Sequence, residues 1–296
     1  MTEVCTLSTL VFRWNIFADM QNIACWAFMR NAFYAGTLIA IVAGVTGYFV
    51  VLRRSAFTAH AFSEIGFAGA AAVILVDVEP IYGLLAGSIL GGIGIAILGR
   101  RASNRDTQIG IVLAFSLGLG LLFLSLYSGF DTEAYSILFG EILGVSLSMV
   151  YLTAYACVGV LLAVALLYRP LLFASLDEDV AEAKGLPMFF LGMAFMLVVA
   201  VSVSFAVQVT GVLLIFSLMV TPAATASYLA KKPQRAIITS VIIALATTWS
   251  GLFISYYAGY PVSFFITAEA FALYVLVRAV SGGLKSRVRA EGLASP

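Results

Sequence analysis

Charge is what this 296-residue chain has least of: Asp, Glu, Lys and Arg supply 10% of it, against about 25% in a soluble globular domain. A water-soluble enzyme or binding module is excluded on that ground. The net charge of +1 provides no basic surface for nucleic acid. Cysteine is scarce, and Cys5, Cys25 and Cys157 show no paired spacing, which argues against a disulfide scaffold or a zinc site. No glycine stands directly before Lys-Ser or Lys-Thr, so the chain has no phosphate loop and no ATPase activity of its own is expected. Residues 1–30 place Glu3 ahead of the first apolar stretch and lack a small-residue cleavage site, so no cleaved signal peptide is expected. Histidine is nearly absent; the one present is His60.

Apolar residues are there in abundance, at 62% of the chain with a mean hydropathy of +1.06. Runs of 18 or more recur along its length, which reads as an all-α polytopic membrane protein of about eight to nine transmembrane helices. Punctuation between the runs predicts spans at 31–52, 57–77, 80–99, 108–127, 149–168, 187–208, 210–229, 236–257 and 262–280. Basic residues then assign the sides. Arg53-Arg54, Arg100-Arg101, Arg169, Lys184, Lys231-Lys232 with Arg235, and the tail from Arg278 to Arg289 fall on one side, expected to be cytoplasmic. Asp77, Glu79, Asp131, Glu133 and the Tyr260-Pro261 turn fall on the other. All nine spans fit the alternation, with the N-terminus outside and the C-terminus inside. The division is an interfacial segment over 1–30, one transmembrane domain over 31–281, and a cytoplasmic tail over 282–296. Residues 133–146 are too short to cross and read as a re-entrant helix on the outer side.

His60 and Glu64 lie four apart in the second span, so imidazole and carboxylate share one helix face. Counted from Arg53-Arg54, they lie roughly 10 Å and 15 Å into the bilayer. A charge there costs at least about 2.5–3.5 kcal/mol, and such groups usually line a pathway. Ala61, Ala68 and Ala71 keep the surroundings small. Glu269, in the last span, is a second intramembrane carboxylate in need of a partner, with metal contact and packing equally open to it. Asp131 and Glu141 lie near the outer mouth, where they could attract cations. Gln208 and Thr210 sit at an outer turn and read as structural, and Pro222 should kink its helix. Gly83, Gly87 and Gly91 repeat at the spacing that lets membrane helices approach closely.

A longer internal loop follows the span ending near Tyr168. In it, Asp177 can cap a short helix whose first turn holds Glu178 and Asp179, with Gly185 ending it and Pro187 barring continuation. An acidic helix on a side where loops are otherwise basic reads as a docking element for a cytoplasmic partner. Here a resemblance becomes specific. Glu182-Ala183-Lys184-Gly185-Leu186-Pro187 after Leu176-Asp177-Glu178-Asp179 resembles the coupling helix of ATP-binding-cassette importer permeases, most of all the metal-type family that takes up zinc, manganese or iron. Four further stretches agree, in the family's order: Val51-Leu52-Arg53-Arg54, Gln108-Ile109-Gly110-Ile111-Val112, Leu138-Phe139-Gly140-Glu141-Ile142-Leu143, and Gly211-Val212-Leu213-Leu214 running to Val220-Thr221-Pro222. Together they cover about residues 28–280.

The resemblance implies a permease for divalent metal ions that pairs with a second copy of itself. It implies two cytoplasmic ATP-binding subunits docked through 177–186 (Asp177, Asp179, Glu182, Ala183 and Gly185) and an extracytoplasmic metal-binding protein, all in a bacterial plasma membrane. The metal would be cargo, with no cofactor held permanently. One departure stands out. Family members typically carry Asp and, four residues on, His in the second helix, implied to contact the metal; here the matching positions are His60 and Glu64, the two groups exchanged. The family's Pro near Ala68 is also missing. Imidazole with carboxylate suits manganese, iron and zinc alike. Two alternatives stay open: a permease for iron chelates or cobalamin, which needs no such pair, and a secondary transporter driven by an ion gradient, which needs no docking helix.

Overall fold

The computed structural model describes residues 23, 25–98, 105–127, 140 and 142–293, and the side chains of these apart from 96–98, 105–106 and 282–293. The described residues are helical almost throughout: α1 (Ala27–Leu52), α2 (Ala56–Ile74), α3 (Pro80–Leu98), α4 (Arg105–Leu126), a single 3-10 turn (Ile142–Gly144), α5 (Leu147–Leu176), α6 (Glu178–Ala183), α7 (Met188–Thr210), α8 (Val212–Leu229), α9 (Pro233–Ala258) and α10 (Val262–Leu293). Eight of these are long and apolar enough to cross a membrane, and the stretch Pro80–Ile95 adds a shorter apolar helix. The chain is an all-α polytopic membrane protein, as its composition predicts.

Short turns fold the helices back, and their backbone hydrogen bonds show how each helix stops. After α1, the Ser55 N–H donates to the Val50 carbonyl at 2.8 Å and the Arg54 N–H to Val51 at 3.1 Å. After α2, the Val78 N–H donates to Val73 and the Asp77 N–H to Ile74 in the same pattern. Both turns put a non-glycine residue in the left-handed region, Arg54 at φ 52 and Asp77 at φ 54. Glycine usually takes that position because a Cβ costs about 1–2 kcal/mol there. Helices α7 and α8 are separated by one residue, Gly211 at φ 82.

Helix α1 is the hub, packed against α5, α7, α8 and α9. Its own glycines make that possible: a Cβ on Gly44 would lie 2.7 Å from the Val241 Cα of α9, and one on Gly47 would run into the Met219 carbonyl of α8. The periphery is opposite in character. On α5, Tyr151, Tyr155, Val158, Leu162 and Leu166 form one exposed apolar stripe at helical spacing, a surface suited to lipid.

Three expectations need correction. The fifth span does not end near Tyr168; α5 runs 30 residues to Leu176 with Pro170 inside it. Leu171 and Ala174 continue the buried face of Val160 and Val164, so packing outweighs the hydrogen bond that proline removes. The last helix likewise continues past 280, to Leu293. Cys25 is disulfide-bonded, whereas Cys157 is free and buried. Sequence spacing missed the bond because a disulfide needs proximity in space. Most of the re-entrant segment 133–146 and of the interfacial segment 1–30 lies outside the described residues. The described end of the former rests on α1, where Asn31 Nδ2 donates to the Val145 carbonyl at 3.0 Å and Ile142 is buried.

Candidate functional site

The predicted pair sits on the second and third turns of α2. Since that helix starts at Ala56, His60 is roughly 6 Å and Glu64 roughly 12 Å from its beginning, nearer one end than a count from Arg53 implies. His60 Nε2 and Glu64 Oε1 are 4.0 Å apart, with side-chain exposures of 29% and 7%. That separation exceeds a hydrogen bond. The remaining polar atoms, His60 Nδ1 and Glu64 Oε2, are buried and have no hydrogen-bond partner among the described residues. Unsatisfied buried polar atoms cost about 1–3 kcal/mol each, so a site that keeps them calls for a reason.

Two of the helices packed against α2 matter for the pair, one on the face away from it and one at His60. The first is α3, which approaches α2 along facing glycines: a Cβ on Gly69 would meet the Gly83 carbonyl, and one on Gly87 would lie 2.7 Å from the Ile65 carbonyl. Gly83, Gly87 and Gly91 therefore serve the close packing expected of them, and Gly66 and Gly69 of α2 complete the seam. Ser88 of α3 fastens it by donating to the Phe62 carbonyl at 3.0 Å, and Ser204 of α7 donates to the Leu84 carbonyl at 3.1 Å. The second is α8. Its Phe216 ring stands 5.2 Å from the His60 ring, a neighbour that sequence spacing could not reveal because 156 positions (216 − 60) separate the two.

Two of the sequence motifs meet at the start of α8. A Cβ on Gly140 (φ 76) would collide with the Thr210 carbonyl, so this segment lies directly on the α7–α8 junction at Gly211. Thr210 bonds the Ala206 carbonyl, in line with a structural role, and Gln208 keeps a buried, unpartnered Oε1. Pro222 is buried within the continuous helix α8.

Glu269 is elsewhere. It lies on α10, which packs against α8 and α9, and accepts a hydrogen bond from the Ser250 hydroxyl of α9. Helix α8 contacts both α2 and α10. The structure does not bring Glu269 to His60 and Glu64: among the described residues, no three His, Cys, Asp or Glu side chains are grouped so as to hold a metal ion. Asp131 and Glu141 fall outside the described residues.

The acidic helix forms as its caps dictate. The Asp177 carboxylate accepts from the Val180 N–H at 3.0 Å, and Glu178 and Asp179 occupy the first turn. At the other end the Leu186 N–H reaches the Ala181 carbonyl and the Gly185 N–H reaches Glu182, with Gly185 at φ 83. Ala181 is fully buried and anchors the helix, while Asp177, Asp179, Glu182, Ala183 and Gly185 are exposed. Leu176 and Val180 add exposed apolar surface beside the acids, at 69% and 43%.

Known proteins place this architecture. The ABC 3 transport family model matches residues 25–281. A manganese transport system membrane protein of Listeria monocytogenes is 30% identical over 80% of this chain and 85% of its own length. A manganese import system permease protein of Streptococcus gordonii is 30% identical, with the same two coverages, 80% and 85%. Among solved structures, PsaBC from Streptococcus pneumoniae in complex with Fab superposes with a TM-score of 0.80 at 27% identity, covering 89% of this chain and 95% of that one. The chain therefore belongs to the ABC 3 transport family, the metal-type importer permeases that its ordered motifs resemble.

Proposed function

We propose that this chain is the membrane-spanning subunit of an importer for divalent metal ions, with manganese the first candidate among manganese, zinc and iron, and that His60 and Glu64 contact the ion in transit. The observation that carries the reading is the pair itself: an imidazole nitrogen and a carboxylate oxygen 4.0 Å apart, with two further buried polar atoms unpartnered, within a membrane helix. First-row ions bind such donors at about 2.0–2.2 Å, so one ion can span this gap. The relatives named for manganese transport favour that metal. Two protein ligands bind weakly enough for release, and a second copy of the chain or water would complete the shell.

Energy would come from elsewhere. The exposed acidic and apolar surface of α6 suits docking of an ATP-binding subunit, one on each of two permease copies, with the N-terminus outside and the C-terminus in the cytoplasm of a bacterial cell. A binding protein on the outer side would deliver the ion.

The test is element-by-element metal accumulation in cells expressing wild type, His60→Ala or Glu64→Ala at matched membrane levels. Loss of one element's uptake, with the ATPase subunit still co-purifying, is the expected result and identifies the cargo. Unchanged uptake of every element would remove the pair from the pathway. An Asp179→Lys/Glu182→Lys variant should lose the ATPase subunit while keeping its fold; retained co-purification would remove α6 from the docking surface.

A further inference from the structure

A cleft of about 580 Å³ lies where α8 ends and α9 begins, lined by Leu229, Ala230, Lys231, Lys232, Arg235, Ile238 and Thr239. Its chemistry is one-sided. Three cations converge within five residues, no acid lines the cleft, and the first turn of α9 holds none either. Lys231, Lys232 and Arg235 are exposed and make no side-chain hydrogen bond or ion pair among the described residues. The α9 N-terminus adds its own partial positive charge at the same place; Lys232 caps it with backbone only.

The other end of the cleft is apolar and continues outward. Leu229 and Ile238 are 56% and 60% exposed, and Ile242, one turn beyond Ile238 on the same face, is 59% exposed. The surface thus passes from a cluster of cations at the end of two membrane helices onto a lipid-facing apolar strip. An inorganic anion would use the first part only. A phospholipid uses both, its headgroup among the cations and an acyl chain along Ile238 and Ile242.

We propose that this cleft is a binding site for the headgroup of an anionic phospholipid. Basic pockets between membrane helices take such headgroups, and each Lys or Arg near the surface contributes roughly fivefold in affinity. Neutralising all three should weaken binding by about a hundredfold. The cleft belongs to the lipid-exposed side of α9, and the inference does not depend on the identity of the cargo.

The experiment uses the full-length chain, purified and titrated with phosphatidylglycerol or with phosphatidylcholine in mixed micelles, with bound lipid counted by native mass spectrometry. Wild type should retain phosphatidylglycerol selectively, and Lys231→Gln/Lys232→Gln/Arg235→Gln should lose that selectivity. The charge-keeping variant Lys231→Arg/Lys232→Arg/Arg235→Lys should retain it, which separates a lost site from a lost fold. Equal retention of both lipids by wild type would overturn the proposal. So would selectivity that survives the neutral variant. Displacement of the lipid by millimolar inorganic phosphate would also overturn it, by assigning the cleft to a free anion.

Discussion

Helices α2 and α10 each carry a glutamate inside a membrane span, and the two are managed in opposite ways. Helix α2 has 67% of its apolar window buried in the protein, and its Glu64 faces an imidazole across 4.0 Å. Helix α10 has 17% buried, and its Glu269 takes a proton donor from Ser250 on the neighbouring helix. Each keeps one buried oxygen unpartnered. A hydroxyl donor is a sufficient arrangement for tying two helices together. A carboxylate beside an imidazole, with a buried oxygen left unpartnered, is what the proposed ion contact calls for. The same residue type in the same solvent class thus has different neighbours, and the proposed roles differ with them.

The largest effect should come from the wall behind the pair. A Gly83→Val side chain would meet the Gly69 backbone and a Val73 methyl, neither able to yield. Separating α2 from α3 should cost on the order of 3 kcal/mol and deplete folded protein in the membrane, read by thermal unfolding in detergent. The contact beside Glu269 rests on a single glycine, Gly251 of α9 against Ile266 of α10; a folded Gly83→Val protein with normal uptake would erase the contrast between the helices.

Glu64→Gln comes next. It keeps volume and removes charge, so folding should survive while metal uptake falls at least about tenfold, the scale set by removing even supporting groups around a metal. Glu269→Gln and Ser250→Ala supply the other arm. Each should lower stability by about 0.6–1.7 kcal/mol, the range for interhelical hydrogen bonds in membranes, and leave the identity of the transported ion unchanged. If Glu269→Gln abolished uptake as Glu64→Gln does, the two carboxylates would belong to one pathway and α8 would lie within it.

How much of this was legible beforehand follows from how local each cause is. The acidic helix could be read residue by residue, because Asp177, Gly185 and Pro187 act on backbone groups within a few positions of themselves. The spans were legible from apolar run length. The pair was legible from i, i+4 spacing, but its depth was not: Arg54 folds into the turn and α2 begins later, at Ala56. Phe216 beside His60, Gly140 on the α7–α8 junction and the Ser204 bond to α3 all arise from contacts between distant segments. The end of the fifth span was misplaced for a related reason, since α5 runs on past Pro170 with Leu171 and Ala174 buried against distant segments.

The smallest effect separates glycines that build the site from glycines that do not. A Cβ added to Gly159 of α5 meets nothing within 4 Å, whereas one added to Gly83 strikes backbone. Gly159 belongs to the lipid-facing helix with the exposed stripe, so its missing side chain does no packing there. Alanine in its place should leave uptake unchanged and stabilise the protein by up to about 1 kcal/mol, because the unfolded chain loses freedom and the helix gains propensity. Thermal unfolding of Gly159→Ala beside Gly83→Val measures the difference directly. Opposite signs would show that the α2–α3 seam depends on close approach and that the outer face of α5 does not. A loss at Gly159 would instead mean that another helix sits on α5, with a second copy of this chain the first candidate to supply it.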